Sequence, residues 1–375
     1  MVMRVGKAAA FLAKLAVTAG LVWWVASGVS WHDYVLDRDG RSLRVLEQRG
    51  GQIRVDLPGR EAAWFAAGQA AEFRDTGGQV VHPGMSRVLG RLRPGFYILA
   101  AVILAGQLTL MGVRWWYLMR RESLSVGLWA TIRLMYVGHF FNFFLPGATG
   151  GDVIRAYLVT RRTTARTVAV ATVLLDRFVG LAGMSALAGV MALATWRSPQ
   201  THRAAGAILA TLAVIIAAGL VLFSRRVGRL AGLDRLIARL PKAENFRLAV
   251  ATLQRLPRCP RDAAVVGAMT IGVHLLLAGG VACLGLALDL PAGISLYFLF
   301  VPVIYILAAI PVSIGGLGLV EGMYVLFFAG GADSSAVLAL ALLARLTPML
   351  LSVPGLVFWL GEKGPKARTG PGETA

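Results

Sequence analysis

Residues 126–159 read VGLWATIRLMYVGHFFNFFLPGATGGDVIRAYLV, an apolar stretch interrupted at Pro146-Gly147. Arginines flank it on both sides, at Arg120-Arg121 before it and at Arg161-Arg162 after it. Because Lys and Arg concentrate in cytoplasmic loops, both ends of the stretch are expected on the same side of a membrane. We therefore predict a re-entrant or broken helical hairpin that turns at Pro146-Gly147.

The composition supports a membrane protein. Of 375 residues, 57% are hydrophobic and 15% charged, whereas soluble domains carry roughly 25% charged residues. The 38 basic residues exceed the 19 acidic ones, but they lie between long apolar runs, as the positive-inside rule describes. The charge therefore indicates a membrane surface and no nucleic-acid site. We predict an all-α polytopic helical bundle with two re-entrant or broken hairpins and a small β-rich extracytoplasmic insert.

Further apolar runs define the domain organisation. Spans are predicted at residues 95–118, 167–196, 204–223, 263–288 and 336–360, since a bilayer core takes about 20 apolar residues per helix. Residues 1–30 are interpreted as a retained transmembrane anchor rather than a cleaved signal peptide, and residues 95–360 as the bundle. Within the basic cytoplasmic loop 224–262, leucines recur at helical spacing and favour an amphipathic surface helix. Residues 361–375 are predicted to be a disordered cytoplasmic tail.

Residues 31–94 differ from the rest of the chain. Alternating apolar residues stand on either side of Gly50-Gly51, a pattern that predicts a β-hairpin. The acidic and basic residues of this segment nearly balance, as expected outside the cytoplasm. We predict a small soluble extracytoplasmic insert, which is either a spacer or a partner-binding module.

A second apolar segment, residues 296–328, is also interrupted, at Pro311 and at Gly315-Gly316. The positions of the charged loops predict that it approaches from the opposite face. Two interrupted segments of this kind resemble an inverted repeat, which in transporters points to a binding site.

The first interruption holds residues that suit anion binding. Pro146 and the glycines free backbone N–H groups at a helix start, where anions are favoured. Arg155 follows Asp152 by three residues on the same helical face. Either the pair binds a headgroup, or Asp152 caps the half-helix and pairs with Arg155.

Asp176 and Arg177 lie about 15 Å into a predicted span, at 1.5 Å per residue. Intramembrane ionisable residues usually face the bundle interior and serve function, although a structural ion pair such as Arg155–Asp176 is an alternative. Glu321 lies near the start of the half-helix after the second interruption, and Arg345 is its candidate partner by depth. The predicted substrate path comprises Asn142, Pro146, Gly147, Gly150, Gly151, Asp152, Arg155, Asp176, Arg177, Pro311, Gly315, Gly316, Gly318, Glu321 and Arg345.

Several enzyme signatures are absent from the sequence, including a Gly-Lys-Ser/Thr phosphate loop, His-Glu-x-x-His and Gly-x-Ser-x-Gly. We predict no catalytic residues, no metal and no cofactor.

Three clusters of residues carry a resemblance to a known family: the first interruption from Asn142 to Arg155, the pair Asp176-Arg177, and the second interruption from Pro311 to Glu321. In order and spacing they resemble the lysylphosphatidylglycerol synthase transmembrane family, the flippase-like region of the bacterial multiple peptide resistance factor. The resemblance covers residues 1–30 and 95–360. It implies a helical membrane bundle that translocates a lipid. Residues 361–375 alone follow the last span, which leaves no room for the soluble aminoacyltransferase domain of the synthases, so no lysyl transfer is expected.

The expected function is therefore translocation of a lipid, either an anionic phospholipid, an aminoacylated lipid or a glycolipid, across the cytoplasmic membrane. Two alternatives stay open: a membrane enzyme acting on lipid-linked substrates, and an accessory subunit. The expected partners are membrane lipids, chiefly anionic, with a homo-oligomer or a lipid-modifying enzyme as further candidates and no nucleic acid. Both termini are expected in the cytoplasm.

Overall fold

The computed structural model describes residues 16–66 with short gaps, 80–144, 150–197, 225–230, 259–309, 313, 316–328 and 334–362, with isolated positions between 209 and 251. Within these residues, four helical segments are long and apolar enough to cross a membrane. They are Pro94–Arg121, Arg166–Ala194, Pro260–Ala287 and Ser334–Gly361. A multi-pass α-helical membrane protein is thereby confirmed.

The N-terminal region contains a small antiparallel sheet. Its strands are β1 (Tyr34–Leu36), β2 (Ser42–Arg49), β3 (Gln52–Val55), β4 (Ala63–Ala66) and β5 (Val81–His82), in the order β4-β3-β2-β1-β5. The predicted hairpin joins β2 to β3 through Gly50 and Gly51, whose φ angles are 53° and 79°. Positive φ at both turn residues suits two-residue hairpins, and glycine adopts it without steric cost. Alternate residues of β1, β2 and β3 form a core of their own around Ile53.

Helices follow the sheet in chain order. They are α1 (Met85–Gly90), α2 (Pro94–Arg121), α3 (Leu128–Phe144), α4 (Gly150–Thr160), α5 (Arg166–Ala194), α6 (Arg225–Leu230), α7 (Pro260–Ala287), α8 (Ile294–Ala308), α9 (Leu319–Phe328), α10 (Ser334–Leu351) and α11 (Pro354–Gly361). Only isolated positions of the predicted span 204–223 are described, and the leucines of the predicted amphipathic surface helix lie outside the described residues. Helical residues 16–24 belong to the predicted anchor.

Two pairs of short helices form the predicted broken hairpins. Helix α3 has 17 residues and α4 has 11, while α8 has 15 and α9 has 10. At 1.5 Å per residue, even the longer partner reaches only about 25 Å, less than a core of about 30 Å. Each pair packs antiparallel, because Asn142 meets Gly151 in the first and Phe300 meets Phe327 in the second.

The last predicted span, 336–360, has the length of one membrane helix, but its helix is interrupted in the structure. Helix α10 ends at Leu351, and Pro354 begins α11. Proline is tolerated in the first turn of a helix, where its missing N–H leaves no hydrogen bond unmade. Gly355 lies against the backbone of Tyr136, where an added Cβ would stand 2.3 Å from the Tyr136 carbonyl oxygen. The break thus lets α11 pack on α3.

Candidate functional site

The start of α4 is fixed by its contact with α3. The Gly151 N–H donates to Asn142 Oδ1 at 2.9 Å, so the Asn142 side chain caps the half-helix. A Cβ at Gly151 would lie 1.7 Å from the carbonyl oxygen of Gly138. Only glycine therefore allows the two backbones to come this close. Asn142 and Gly151 thus set the position of Asp152, the next residue of the helix.

Asp152 and Asp176 are joined through Arg155. Arg155 donates from Nη2 to Asp152 Oδ1 at 3.0 Å and from Nη1 to Asp176 Oδ2 at 3.1 Å. Its guanidinium also lies 4.5 Å from the centre of the Trp115 ring, a cation–π contact. The Arg155–Asp176 ion pair that was an alternative interpretation is therefore present. Arg155 pairs with Asp152 as well.

A further arginine, Arg114 on α2, completes this buried group. It donates from Nε to Asp176 Oδ1 at 3.0 Å and from Nη1 to Thr270 Oγ1 at 3.3 Å. The side chains of Arg114, Asp176 and Arg155 are only 2–3% exposed. Removing charges from water is costly unless they are paired with good geometry. This group meets that condition, because both oxygens of Asp176 hold an arginine.

Arg114 was not among the predicted path residues, although it lies within the predicted span 95–118. The helix continues to Arg121, so Arg114 lies seven residues, about 10 Å, inside it. The sequence feature that could have identified Arg114 is its distance from Arg120 and Arg121 at the helix end. Because the predicted span ended at residue 118, Arg114 lay close to its end and its depth was underestimated.

Arg177 points away from its neighbour Asp176. Adjacent residues project about 100° apart on a helix, and Arg177 Nη1 donates to Asp152 Oδ2 at 3.2 Å. Its side chain is 32% exposed. Asp152 thus joins the buried charges of α4 and α5 to a more accessible arginine.

The second cluster is built around Glu321 at the start of α9. Glu321 forms an ion pair with Arg345 on α10, as expected from their depths. Its Oε2 also accepts the Gly318 N–H at 2.8 Å, while Arg345 Nη2 donates to the Gly316 carbonyl at 2.9 Å. Gly316 and Gly318 have φ angles of 71° and 75°, which glycine adopts readily and other residues rarely.

The two clusters occupy equivalent places in two similar sets of helices, α4 with α5 and α9 with α10. Asp152 is the third residue of α4, and Glu321 is the third residue of α9. Their partners Arg177 and Arg345 are each the twelfth residue of the following helix, α5 or α10. The sets differ beside these pairs, because Ala344 stands where α5 has Asp176, and Tyr324 stands where α4 has Arg155.

One cavity of about 280 Å³ is lined by residues of both sets. Its polar wall carries Asp152, Arg155, Asp176, Arg177, Arg345, Asn142 and Gly316 from the predicted path, and also Arg114, Gln107, His139 and His274. Its apolar wall includes Met111, Leu181, Met184, Leu277 and Pro348. Of the remaining predicted path residues, Glu321 pairs with Arg345 and accepts the Gly318 N–H, Gly151 precedes Asp152 at the contact with Asn142, and Gly150 begins α4. Pro146, Gly147, Pro311 and Gly315 lie outside the described residues.

Comparison with known protein families matches residues 84–355 to the lysylphosphatidylglycerol synthase TM region. The chain belongs to this family. The matched region contains every charged residue of the cavity, and the β-sheet of residues 34–82 precedes it. As a member of the lysylphosphatidylglycerol synthase TM family, the chain is a membrane protein of a lipid-related group. Neither curated proteins nor solved structures gave a match.

Proposed function

We propose that this protein translocates a lipid across the membrane, with the headgroup in the charged cavity. The cavity itself is the main support for this proposal. It combines the charges of both broken hairpins with an apolar wall inside a bundle of membrane helices. Ionisable residues at such depth are costly and usually mark a substrate path. Non-helical backbone at membrane depth is tolerated where it lines a cavity.

The arginines at the helix ends support one orientation in the membrane. Arg120 and Arg121 end α2, and Arg161, Arg162 and Arg166 lie between α4 and the start of α5. The positive-inside rule favours the cytoplasm for all of them. We therefore propose the cytoplasmic membrane, with both termini in the cytoplasm. Labelling of single cysteines introduced at Thr164 and Asp289 in intact cells would test this, since only the latter should react with an impermeant reagent.

The function is tested with purified protein in liposomes that contain a trace of fluorescent lipid. A reductant bleaches fluorophores in the outer leaflet, so bleaching well beyond half of the signal reports translocation. We expect translocation by the wild type and its loss in Arg177→Gln. The control is Arg166→Gln, which removes an exposed arginine at the start of the same helix.

Arg177 is a better target than Asp176, because Asp176→Ala would strand two buried arginines and perturb folding together with transport. Folding of each variant is checked by thermal unfolding before the assay. Folded wild type that moves neither anionic nor zwitterionic fluorescent lipids would contradict the proposal.

A further inference from the structure

Arg133 lies outside the cavity, on the exposed surface of α3. It is the sixth residue of the helix, about 8 Å beyond the helix start at 1.5 Å per residue. Its neighbours Ile132 and Leu134 are buried, whereas Arg133 is exposed. A charge at this depth is costly unless it reaches the membrane interface or finds a counter-ion. No carboxylate of the described residues pairs with Arg133, and Glu362 at the end of α11 pairs with Arg162 instead.

Two aromatic rings hold the Arg133 guanidinium in place. Its central carbon lies 5.3 Å from the centre of the Trp129 ring and 5.6 Å from that of the Phe358 ring on α11. The two rings meet edge to face with centroids 6.4 Å apart, and Tyr136 supports Phe358 at 6.3 Å. Contact with ring faces leaves the N–H groups at the edge of a planar guanidinium free for oxygen ligands. Arg133 is therefore oriented for an anion that the described residues do not supply.

The surroundings of Arg133 favour a phospholipid over a soluble anion. Trp129 is 57% exposed, and Val357 and Leu360 of α11 are 64% and 66% exposed. Exposed apolar side chains of membrane helices contact acyl chains, and tryptophan concentrates at the level of the headgroups. A ligand that combines a phosphate with acyl chains matches both the guanidinium and this apolar surface.

We propose that Arg133, Trp129 and Phe358 form a phospholipid site on the outer surface of the bundle, separate from the cavity. Arg133 binds the phosphate of a boundary lipid through two parallel N–H groups, and the acyl chains lie against α11. Because Arg133 belongs to α3 and Phe358 to α11, the bound lipid stabilises the contact between these helices. The site does not depend on the proposed function, since a boundary lipid is bound and not transported.

The site is tested on the purified full-length protein in an uncharged detergent, from the rise in unfolding temperature on adding short-chain lipids. Subtracting the rise in Arg133→Gln from that in the wild type gives the Arg133-dependent rise. We expect such a rise with dioctanoyl phosphatidylglycerol, and none with dioctanoylglycerol, which has the same chains and no phosphate, or with inorganic phosphate. Arg133→Gln should weaken the affinity for phosphatidylglycerol about tenfold, because a charge-assisted hydrogen bond is lost.

Arg120→Gln is the matched control. Arg120 is also exposed, and its guanidinium carbon lies 5.2 Å from the centre of one ring, that of Trp116, at the end of α2. This variant should bind phosphatidylglycerol as the wild type does. Equal losses of affinity in Arg120→Gln and Arg133→Gln would overturn the proposal, because the lipid would then respond to basic surface charge in general. An equal Arg133-dependent rise with inorganic phosphate or dioctanoylglycerol would overturn it too.

Arg133→Lys tests the geometry of the site. Lysine keeps the charge but offers no planar fork to stack on the rings or to bind two phosphate oxygens. We expect Arg133→Lys to bind phosphatidylglycerol more weakly than the wild type. A lysine variant that binds as tightly as the wild type would contradict the assigned site.

The same titrations in Arg177→Gln separate this site from the cavity. The Arg133-dependent rise should persist there, and its disappearance would overturn the proposal by assigning the effect to the cavity. The translocation assay fails independently, since a protein that moves no lipid still shows the Arg133-dependent rise if the surface site exists.

Discussion

Asp176 lies between Arg114 and Arg155, with all three side chains at most 3% exposed. Asp152 has a different setting, since its side chain is 18% exposed and one of its partners, Arg177, is more exposed still. The two aspartates therefore differ in role: Asp176 neutralises buried charge, and Asp152 links that buried group to the accessible part of the cavity.

We expect Asp176→Asn to lower the free energy of unfolding by about 3–5 kcal/mol, because two arginines would lose the carboxylate that neutralises them. Asp152→Asn is the matched control and should cost less, since Arg155 keeps Asp176 as its partner. Thermal unfolding of the purified variants in the same detergent measures both. Equal losses of unfolding free energy in the two variants would show that burial of an ion pair does not determine how much it contributes to stability.

Glu321 and Arg345 should be energetically coupled. In a double-mutant cycle, Glu321→Gln combined with Arg345→Gln should cost less than the sum of the single changes, by about 0.5–3 kcal/mol. The reason is that each single change strands a charge that the double change removes. Glu321→Gln combined with Arg166→Gln should be additive, and additivity in both cycles would argue against the ion pair.

At the scale of residues, the sequence predicted which charges matter better than how they pair. The Glu321–Arg345 pair follows from depth, since both stand at similar distances from the ends of their predicted helices. The first partner of Asp176 could not be found in this way. Arg114 and Asp176 are 62 positions apart, and only the packing of α2 on α5 brings them together.

Among the elements, the contact between α3 and α4 depends on Gly138 and Gly151. We expect Gly151→Ala to be strongly destabilising, because the new Cβ would lie 1.7 Å from a backbone oxygen that cannot move independently. Overpacking typically costs about 1–3 kcal/mol, and sometimes more. The unfolding temperature should fall accordingly.

Gly106→Ala on α2 is the control, since a Cβ there meets no atom within 4 Å. This change should be neutral or favourable, because glycine inside a helix is less stable than alanine by about 0.5–1 kcal/mol. A Gly151→Ala protein as stable as Gly106→Ala would contradict the close contact between α3 and α4.

The interruptions of α3–α4 and α8–α9 were predictable, since proline and glycine within an apolar run leave a local signal. The division between α10 and α11 was not predicted, although Pro354 is visible in the sequence. The apolar run continues on both sides of Pro354, so hydropathy alone favours one span. The break allows Gly355 to contact Tyr136, and a contact between residues so far apart in the chain leaves no local pattern in the sequence.

For the whole molecule, the sheet of residues 34–82 is attached to the bundle at a narrow base. The Met85 N–H donates to the Ser30 carbonyl at 2.8 Å, and the Gly84 N–H donates to Asp33 Oδ1 at 2.9 Å. The chain therefore leaves and re-enters the bundle at nearly the same point, and the sheet has its own core.

Replacing residues 34–82 with a short Gly/Ser linker should leave the bundle folded and lipid translocation intact, because the ends of the segment are already in contact. The unfolding temperature and the liposome assay measure the two outcomes. Loss of translocation by a folded deletion variant would instead favour the accessory-subunit hypothesis, in which this segment binds a partner.

The ion pairs Asp152–Arg177 and Glu321–Arg345 lie at the same positions in two sets of helices, so the repeat extends over the whole chain. Hydropathy predicted the two related halves but not these matching pairs. The interruptions predicted two related halves, but the letters around them differ too much to align. The correspondence is in geometry, at the third residue of each half-helix and the twelfth of the next helix. That both halves meet at one cavity could be known only from the structure.

The four arginines of the cavity wall stand against Asp152, Asp176 and the Glu321 that pairs with Arg345, and this formal charge of +1 among the described residues has an electrical consequence. A charge within a bilayer experiences the membrane potential, at about 2.3 kcal/mol per elementary charge per 100 mV. If the protein translocates a lipid as proposed, binding of a monovalent anionic headgroup makes the site neutral, and the conformational change that carries the headgroup does no electrical work. The empty site keeps its charge, so the membrane potential would act on its return and favour one direction of cycling.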